Sequence, residues 1–282
     1  MRLIDTHTHL DFPDFDADRP QLLANAASRG VERMVVLGVY QANFQRVWDL
    51  ACADKRLFAA LGLHPVYLDR HHPEHLAQLR EWLQRLHGDP RLCAVGEFGL
   101  DYYLEDLDKA RQQTLFEAQL QMACDFELPA LLHVRRSHAQ VIATLKRYKP
   151  ARAGVIHAFA GSYEEAREYI KLGFRLGLGG AGTWPQALRL RKTLARLPLD
   201  SVGAGDRCAG HGAGHVPRGE EQPGAPAGNC RGAGAGDGGG CRGTGSSQHP
   251  QCLRVVWLVA EVLAPAWASS RACPLPQGPR KS

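Results

Sequence analysis

At 282 residues, 44% of them hydrophobic, the chain is long enough for one large domain with a sizeable core. No apolar run reaches the ~18 residues of a membrane span; Glu261 interrupts the run from Val255 to Leu263. The net charge of +5 is small, and residues 1–200 hold 26 Lys+Arg against 24 Asp+Glu. That balance excludes the broad basic stripe of a dedicated nucleic-acid binder, so a polyanionic substrate would be held locally.

The opening Met1-Arg2-Leu3-Ile4-Asp5 lacks the charged start, apolar stretch and cleavage site of a secretory signal, which predicts a cytoplasmic protein. Short β-type runs then alternate with amphipathic helical stretches. Leu3–Asp5 leads to a helix near 18–29, Met34–Val39 to one near 42–54, and Phe58–His64 to one near 74–87. Leu92–Glu97 precedes 108–126, where Ala110, Leu115, Ala118 and Met122 recur at helical intervals. Ala130–Val134, Gly154–Phe159 and Phe174–Leu178 precede helices near 138–148, 163–171 and 186–196. Seven strand–helix units imply a parallel sheet with right-handed crossovers.

Polar residues distinguish a barrel from an open sheet. His7 and His9 follow the first strand, His64 the third, Glu97 the fourth, His133 the fifth and His157 the sixth. In a barrel those strand ends share one rim, whereas an open sheet spreads them along a line. The expected fold is therefore α/β, a TIM (β/α)8-type barrel over residues 1–200. Residues 201–282 contain 17 Gly and 8 Pro, a low-complexity composition that predicts a disordered or poorly folded tail. Cys52, Cys93 and Cys124 lie in helical or strand patterns and are expected to be buried small hydrophobes of a reducing compartment.

The chemistry starts at Asp5-Thr6-His7-Thr8-His9-Leu10-Asp11, where an extended backbone points His7 and His9 to the same side. Single imidazoles follow in Leu132-His133-Val134 and Ile156-His157-Ala158, and a carboxylate in Gly96-Glu97-Phe98-Gly99-Leu100-Asp101. Imidazole plus carboxylate without thiolate suits a divalent cation and is unlike a cysteine-rich structural zinc site. Arg135 and Arg136 suit a phosphate, and equally a solvated loop. His71, His72 and His75 read as a solvated helix start. Gly177–Gly182 lacks the Gly-Lys-Ser/Thr ending of a phosphate loop and reads as a close-packed turn.

These motifs, with Gly62-Leu63-His64-Pro65 and His157-Ala158-Phe159-Ala160-Gly161-Ser162, resemble in order the signatures of the TatD family over about residues 1–200. The resemblance implies a metal-dependent hydrolase, a deoxyribonuclease of exonuclease type, with two divalent ions (Mg, Mn or Zn) and a water activated between them. It implies that His7 and His9 bind the first metal, that Glu97 bridges, and that His133 and His157 bind the second. His64, with Arg135, would contact substrate phosphate. The implied partner is DNA or another phosphodiester, with no membrane and a monomeric protein.

The family continues with an eighth strand ending in Glu-Thr-Asp-Ala-Pro, whose Asp is a metal ligand and proton acceptor; this chain reads Ser201-Val202-Gly203-Ala204-Gly205-Asp206-Arg207-Cys208 instead. The native eighth strand and C-terminal helix are thus expected to be lost, and the catalytic proton acceptor is unassigned. One permitted back-translation of Gly203–His211, read from its second base, gives Val-Leu-Glu-Thr-Asp-Ala-Pro-Asp. The same shift over Ser247–Leu253 permits Ala-Asn-Thr-Arg-Asn-Ala-Phe, which resembles the family's C-terminal helix. A single-base slip near residue 202 accounts for both. Cys208, His211, His215, Cys230 and Cys241 then arise from shifted GC-rich codons and not from a tail metal site. The alternatives to a nuclease are an impaired, non-catalytic remnant and an esterase or lactonase on the same fold.

Overall fold

The computed structural model describes residues 3–179, 187–198 and 201–204. Its eight parallel strands are β1 (Leu3–Thr8), β2 (Val31–Leu37), β3 (Leu57–Leu61), β4 (Leu92–Asp101), β5 (Ala130–Arg135), β6 (Gly154–Ile156), β7 (Arg175–Leu178) and β8 (Val202–Ala204). They are hydrogen-bonded in sequence order. The helices are α1 (Arg19–Ser28), α2 (Phe44–Ala53), α3 (Glu74–Leu86), α4 (Lys109–Asp125), α5 (His138–Tyr148), α6 (Tyr163–Lys171) and α7 (Leu188–Leu194). Every helix expected from the sequence is present, and strand order equal to chain order is what repeated right-handed crossovers produce.

Both faces of each inner strand are buried, which is why these strands read as apolar runs without polar alternation. On β2, Met34 and Val36 join the layer beneath the helices while Val35 and Leu37 enter the barrel interior. On β3, Leu57, Ala59 and Leu61 pack outward and Phe58 and Ala60 inward. The outer layer is the larger, with Phe98 against Phe116 at 5.8 Å between ring centres. Cys93 is buried on β4, whereas Cys52 and Cys124 are only half-buried at the helices.

Strand ends differ from the expected ones where they matter to the rim. β3 stops at Leu61, so His64 lies beyond it, at the start of a 3-10 turn over Pro65–Arg70. β4 runs past Glu97 to Asp101 and stays paired with β5 through Asp101↔Arg135. β6 is only three residues long, leaving His157 immediately after it. On α4, the buried residues are Gln112, Phe116, Gln119, Leu120, Met122 and Ala123, while Ala110 is exposed. The apolar stripe read from the sequence was rotated because two glutamines occupy the inner face.

Past the expected boundary at residue 200, Val202–Ala204 extends the sheet by three residues, pairing Leu176↔Val202, Gly177↔Gly203 and Leu178↔Ala204. β8 touches β1, but no ladder joins them among the described residues, so the barrel is nearly closed. The family's C-terminal helix, the tail cysteines and histidines, and Gly180–Gly182 lie outside the described residues. No described helix is long and apolar enough to cross a membrane.

Candidate metal centre

Five strand ends, those of β1, β3, β4, β5 and β6, deliver the rim residues, and two glycines allow them to meet. A Cβ on Gly99 would lie 2.0 Å from the His133 carbonyl oxygen, and one on Gly62 would lie 2.8 Å from that of Glu97. Both contacts are backbone contacts that no side-chain shift relieves, so the close approach of β3, β4 and β5 depends on them.

Glu97 is the centre of the cluster. Its Oε2 lies 3.1 Å from His7 Nε2, 3.8 Å from His9 Nε2 and 3.3 Å from His64 Nε2, and its Oε1 lies 3.3 Å from His133 Nδ1. His7 Nε2 and His9 Nε2 are 3.3 Å apart, as expected for one strand supplying two ligands. His157 stacks on His7 with 3.3 Å between ring centres. The five expected ligands therefore converge, all buried except half-buried His9.

Two ligand-forming groups can be drawn on this geometry: His7, His9 and Glu97, and His64, Glu97 and His133. The second contains His64 where the resemblance gave His157. Hydrogen bonding separates the two imidazoles. The Val66 N–H donates to His64 Nδ1 at 3.1 Å, so a neutral His64 ring keeps its proton on Nε2 and points a donor at the site. His133 is the opposite. Its Nε2–H donates to Asp101 Oδ2 at 2.9 Å, which in the neutral ring leaves the Nδ1 lone pair facing Glu97. In the neutral rings, the Nδ1 lone pair of His133 is thus open to a cation and the Nε2–H of His64 to an anion.

Electrostatics agree with a cation site. Burial alone would raise the Glu97 carboxyl, yet His7, His64 and His133 hold it well below the usual carboxylate range. His9 is driven down to about 3 by burial, with His7 adding to the effect. Burial likewise lowers His64. His133 is raised: burial opposes protonation, but the hydrogen bond to Asp101 and the nearby Glu97 carboxylate outweigh it. Glu97 Oε1 and His9 Nδ1 are buried yet make no hydrogen bond of acceptable geometry. An anionic carboxylate with an unsatisfied oxygen among buried imidazoles is a donor set that fits a divalent cation.

Sequence reasoning left several positioning groups without a role. Asp101 falls four residues after Glu97 on the same strand, a spacing that returns to the same face. Its Oδ1 also accepts the Tyr103 N–H at 2.9 Å. Gln112 clamps the Asp101 peptide, accepting its N–H at 2.8 Å and donating to its carbonyl at 3.0 Å. Gln119, seven residues on along α4, does the same for Leu63 at 2.7 and 3.1 Å and so fixes the loop carrying His64. Their one signal is register: on amphipathic α4, Gln112 and Gln119 fall at helical intervals from Phe116, Leu120 and Ala123.

Two other expectations need revision. His71 is not solvated: it is 1% exposed, its Nε2–H donates to the His64 carbonyl at 2.8 Å, and burial pushes it down to about 4. His72 is exposed and His75 half-buried, as a helix start allows. Arg135 is not a free loop cation, since its Nη1 lies 3.8 Å from Asp101 Oδ2 and its guanidinium is over the Tyr103 ring.

Comparison with known proteins places this architecture. The family model described as TatD related DNase matches residues 4–202. The uncharacterized metal-dependent hydrolase YjjV of Escherichia coli K12 is 42% identical over 201 residues, covering 71% of this chain and 77% of the relative. The protein named 3'-5' ssDNA/RNA exonuclease TatD of Pantoea vagans is 30% identical over 206 residues, covering 71% and 76%. The crystal structure of the YjjV TatD homolog from Escherichia coli K12 superposes with a TM-score of 0.73 at 34% identity, covering 94% of this chain and 96% of that one. With a family match from the first ligand strand into β8, this chain belongs to the TatD family of metal-dependent hydrolases.

Proposed function

We propose that this chain's site hydrolyses phosphodiester bonds at the end of a single nucleic-acid strand, using two divalent cations. The observation that carries the reading is Glu97, whose two carboxylate oxygens face imidazoles from different strands. His7, His9 and Glu97 would hold one ion, and Glu97, His133 and His157 the other; magnesium, manganese and zinc all suit these donors. When bound, such ions acidify water to near neutrality and stabilise the attacking and leaving oxygens of an in-line displacement. The chain's own groups do the rest. His64 Nε2–H donates to a phosphate oxygen, Asp101 keeps the His133 lone pair aimed inward, and Arg135 adds a cation beside the leaving strand. The name of the Pantoea vagans relative supports a single-stranded DNA or RNA substrate. We read the protein as a cytoplasmic monomer.

The test is cleavage of end-labelled single-stranded DNA by the full chain with each metal, beside a lactone and a phosphotriester. Stepwise loss of terminal nucleotides is expected; turnover of the lactone alone would move the chemistry to the esterase class.

A second reading concerns this chain's own competence. The family match ends at residue 202, where the codon reading recovers Glu-Thr-Asp-Ala-Pro one base out of register, and β8 is three residues long. We propose that a single-base slip near residue 202 removed the last Asp ligand, leaving an impaired enzyme whose residues after the slip are an aberrant tail. A version with the frame restored should exceed the chain as written in turnover by at least about a hundredfold, the scale of losing one group that acts on the reacting atoms. Equal rates would sink this reading, and sequencing the codons around residue 202 in the source DNA tells a genomic slip from a reading error.

A further inference from the structure

Beside the metal centre, Tyr103 presents a ring that is 42% exposed, one of few large hydrophobic side chains on the described surface. Two consecutive arginines converge on it. The Arg135 guanidinium carbon lies 3.8 Å from the ring centre and that of Arg136 4.8 Å. Bringing two like charges to one ring is unfavourable unless an anion shares the site. Asp101 faces Arg135 at 3.8 Å but is already engaged: Oδ2 faces His133 Nε2 at 2.9 Å and Oδ1 accepts the Tyr103 N–H at 2.9 Å. Arg136 makes no ion pair with a carboxylate among the described residues.

The backbone is committed to this arrangement. Arg136 sits at φ +53°, a left-handed conformation that a long side chain rarely adopts, which turns the chain just after β5 toward Tyr103. The Tyr102 N–H donates to the Arg135 carbonyl at 2.8 Å, tying the two segments together. Because Asp101 holds both the His133 ring and the Tyr103 peptide, the platform has a fixed place relative to the ligand cluster.

We propose that Tyr103, Arg135 and Arg136 form a nucleotide subsite next to the scissile phosphodiester, in which a nucleobase stacks on the Tyr103–guanidinium face and its phosphate pairs with Arg136. A bare phosphate has no use for an exposed aromatic ring, and an apolar ligand has none for two cations; a planar base carrying a phosphate uses both. The inference rests on the phosphodiesterase reading above and extends it from bond type to the unit recognised beside the bond.

The experiment measures binding and turnover separately on the metal-loaded full chain. Binding of deoxyadenosine monophosphate and of deoxyribose 5-phosphate is titrated by calorimetry for wild type, Tyr103→Ala, Tyr103→Phe and Arg136→Ala. Tyr103→Ala is expected to weaken the nucleotide about tenfold, the scale of one lost base–aromatic stack, and to leave the sugar phosphate unchanged. Tyr103→Phe should bind as wild type does, and Arg136→Ala should weaken both ligands. On a single-stranded oligonucleotide, Tyr103→Ala should raise KM about tenfold with kcat within about twofold of wild type. Equal loss of both ligands in Tyr103→Ala, or no loss of either, overturns the subsite. Tyr103-dependent nucleotide binding without strand cleavage, by this chain and by the frame-restored version alike, keeps the subsite and defeats the hydrolysis reading; cleavage that Tyr103→Ala leaves untouched does the reverse.

Discussion

The rim of this barrel has two unequal halves. From β3 to β5 the rim residues are backed by buried hydrogen bonds: Asp101 on His133, Gln112 on Asp101, Gln119 on the His64 loop and His71 beneath His64. From β7 through β8 to β1 the sheet continues with strands of four and three residues, and no ladder joins β8 to β1 among the described residues. The first half depends on polar groups that fix directions, the second on a few apolar contacts. A metal centre needs the first kind of support, because ligands displaced by about half an ångström lose much of their value.

The largest effect expected in the well-supported half is loss of a ligand. His133→Ala removes an imidazole whose lone pair is aimed by a carboxylate, and turnover should fall by about a thousandfold or more, with metal content reduced when measured by elemental analysis. Full turnover in this variant would defeat the metal assignment. Removing the support behind the ligand should cost less. Asp101→Ala leaves His133 in place but frees its ring, and metal affinity is expected to drop about 10- to 100-fold in a chelator-competition titration. An unchanged affinity would mean that packing alone orients His133.

How far these roles could be read in the sequence follows the same division. The seven strand–helix units were visible because burial on both faces writes continuous apolar runs, and His7, His9, Glu97, His133 and His157 were visible because polar side chains at the ends of such runs stand out. Support groups do not stand out. Gln112 and Gln119 look like the solvated face of α4, and only their pairing with the Asp101 and Leu63 peptides makes them interior. His71 was misread for a similar reason: beside His72 and Pro73 it resembles a polar turn, and its burial comes from contact with the His64 loop seven residues away in sequence. β8 escaped notice because three residues are too few to carry a pattern.

His71 also supplies a pH test of the supported half. Its folded pKa of about 4 lies below the ordinary 6.5, so between those values the unfolded chain binds more protons than the folded one. Stability is therefore greatest above about pH 6.5 and declines as pH falls toward 4, by about 3 kcal/mol if the whole shift is expressed. Denaturant unfolding followed from pH 7 to pH 4 should give a shallower slope for His71→Asn than for wild type. Parallel slopes would show that His71 is not neutral in the fold.

The smallest effect compares the halves directly through one chemical change. Val95 on β4 and Val202 on β8 are both buried, at 0% and 3% exposure, and Val→Ala deletes the same two methyl groups from each. Val95 is enclosed by ladders on both sides, since β4 pairs with β3 and with β5, so its surroundings cannot collapse into the space. The loss there should be about 2–3 kcal/mol, transfer of the methyls plus a residual cavity. Val202 has a ladder only toward β7, through Leu176, and the β1 side is free to close by a small shift of a three-residue strand. Its loss should stay below about 1 kcal/mol in denaturant unfolding. Equal losses at the two sites would mean that the seam is as rigid as the ligand-bearing half, and the contrast between them would then lie in hydrogen bonding alone.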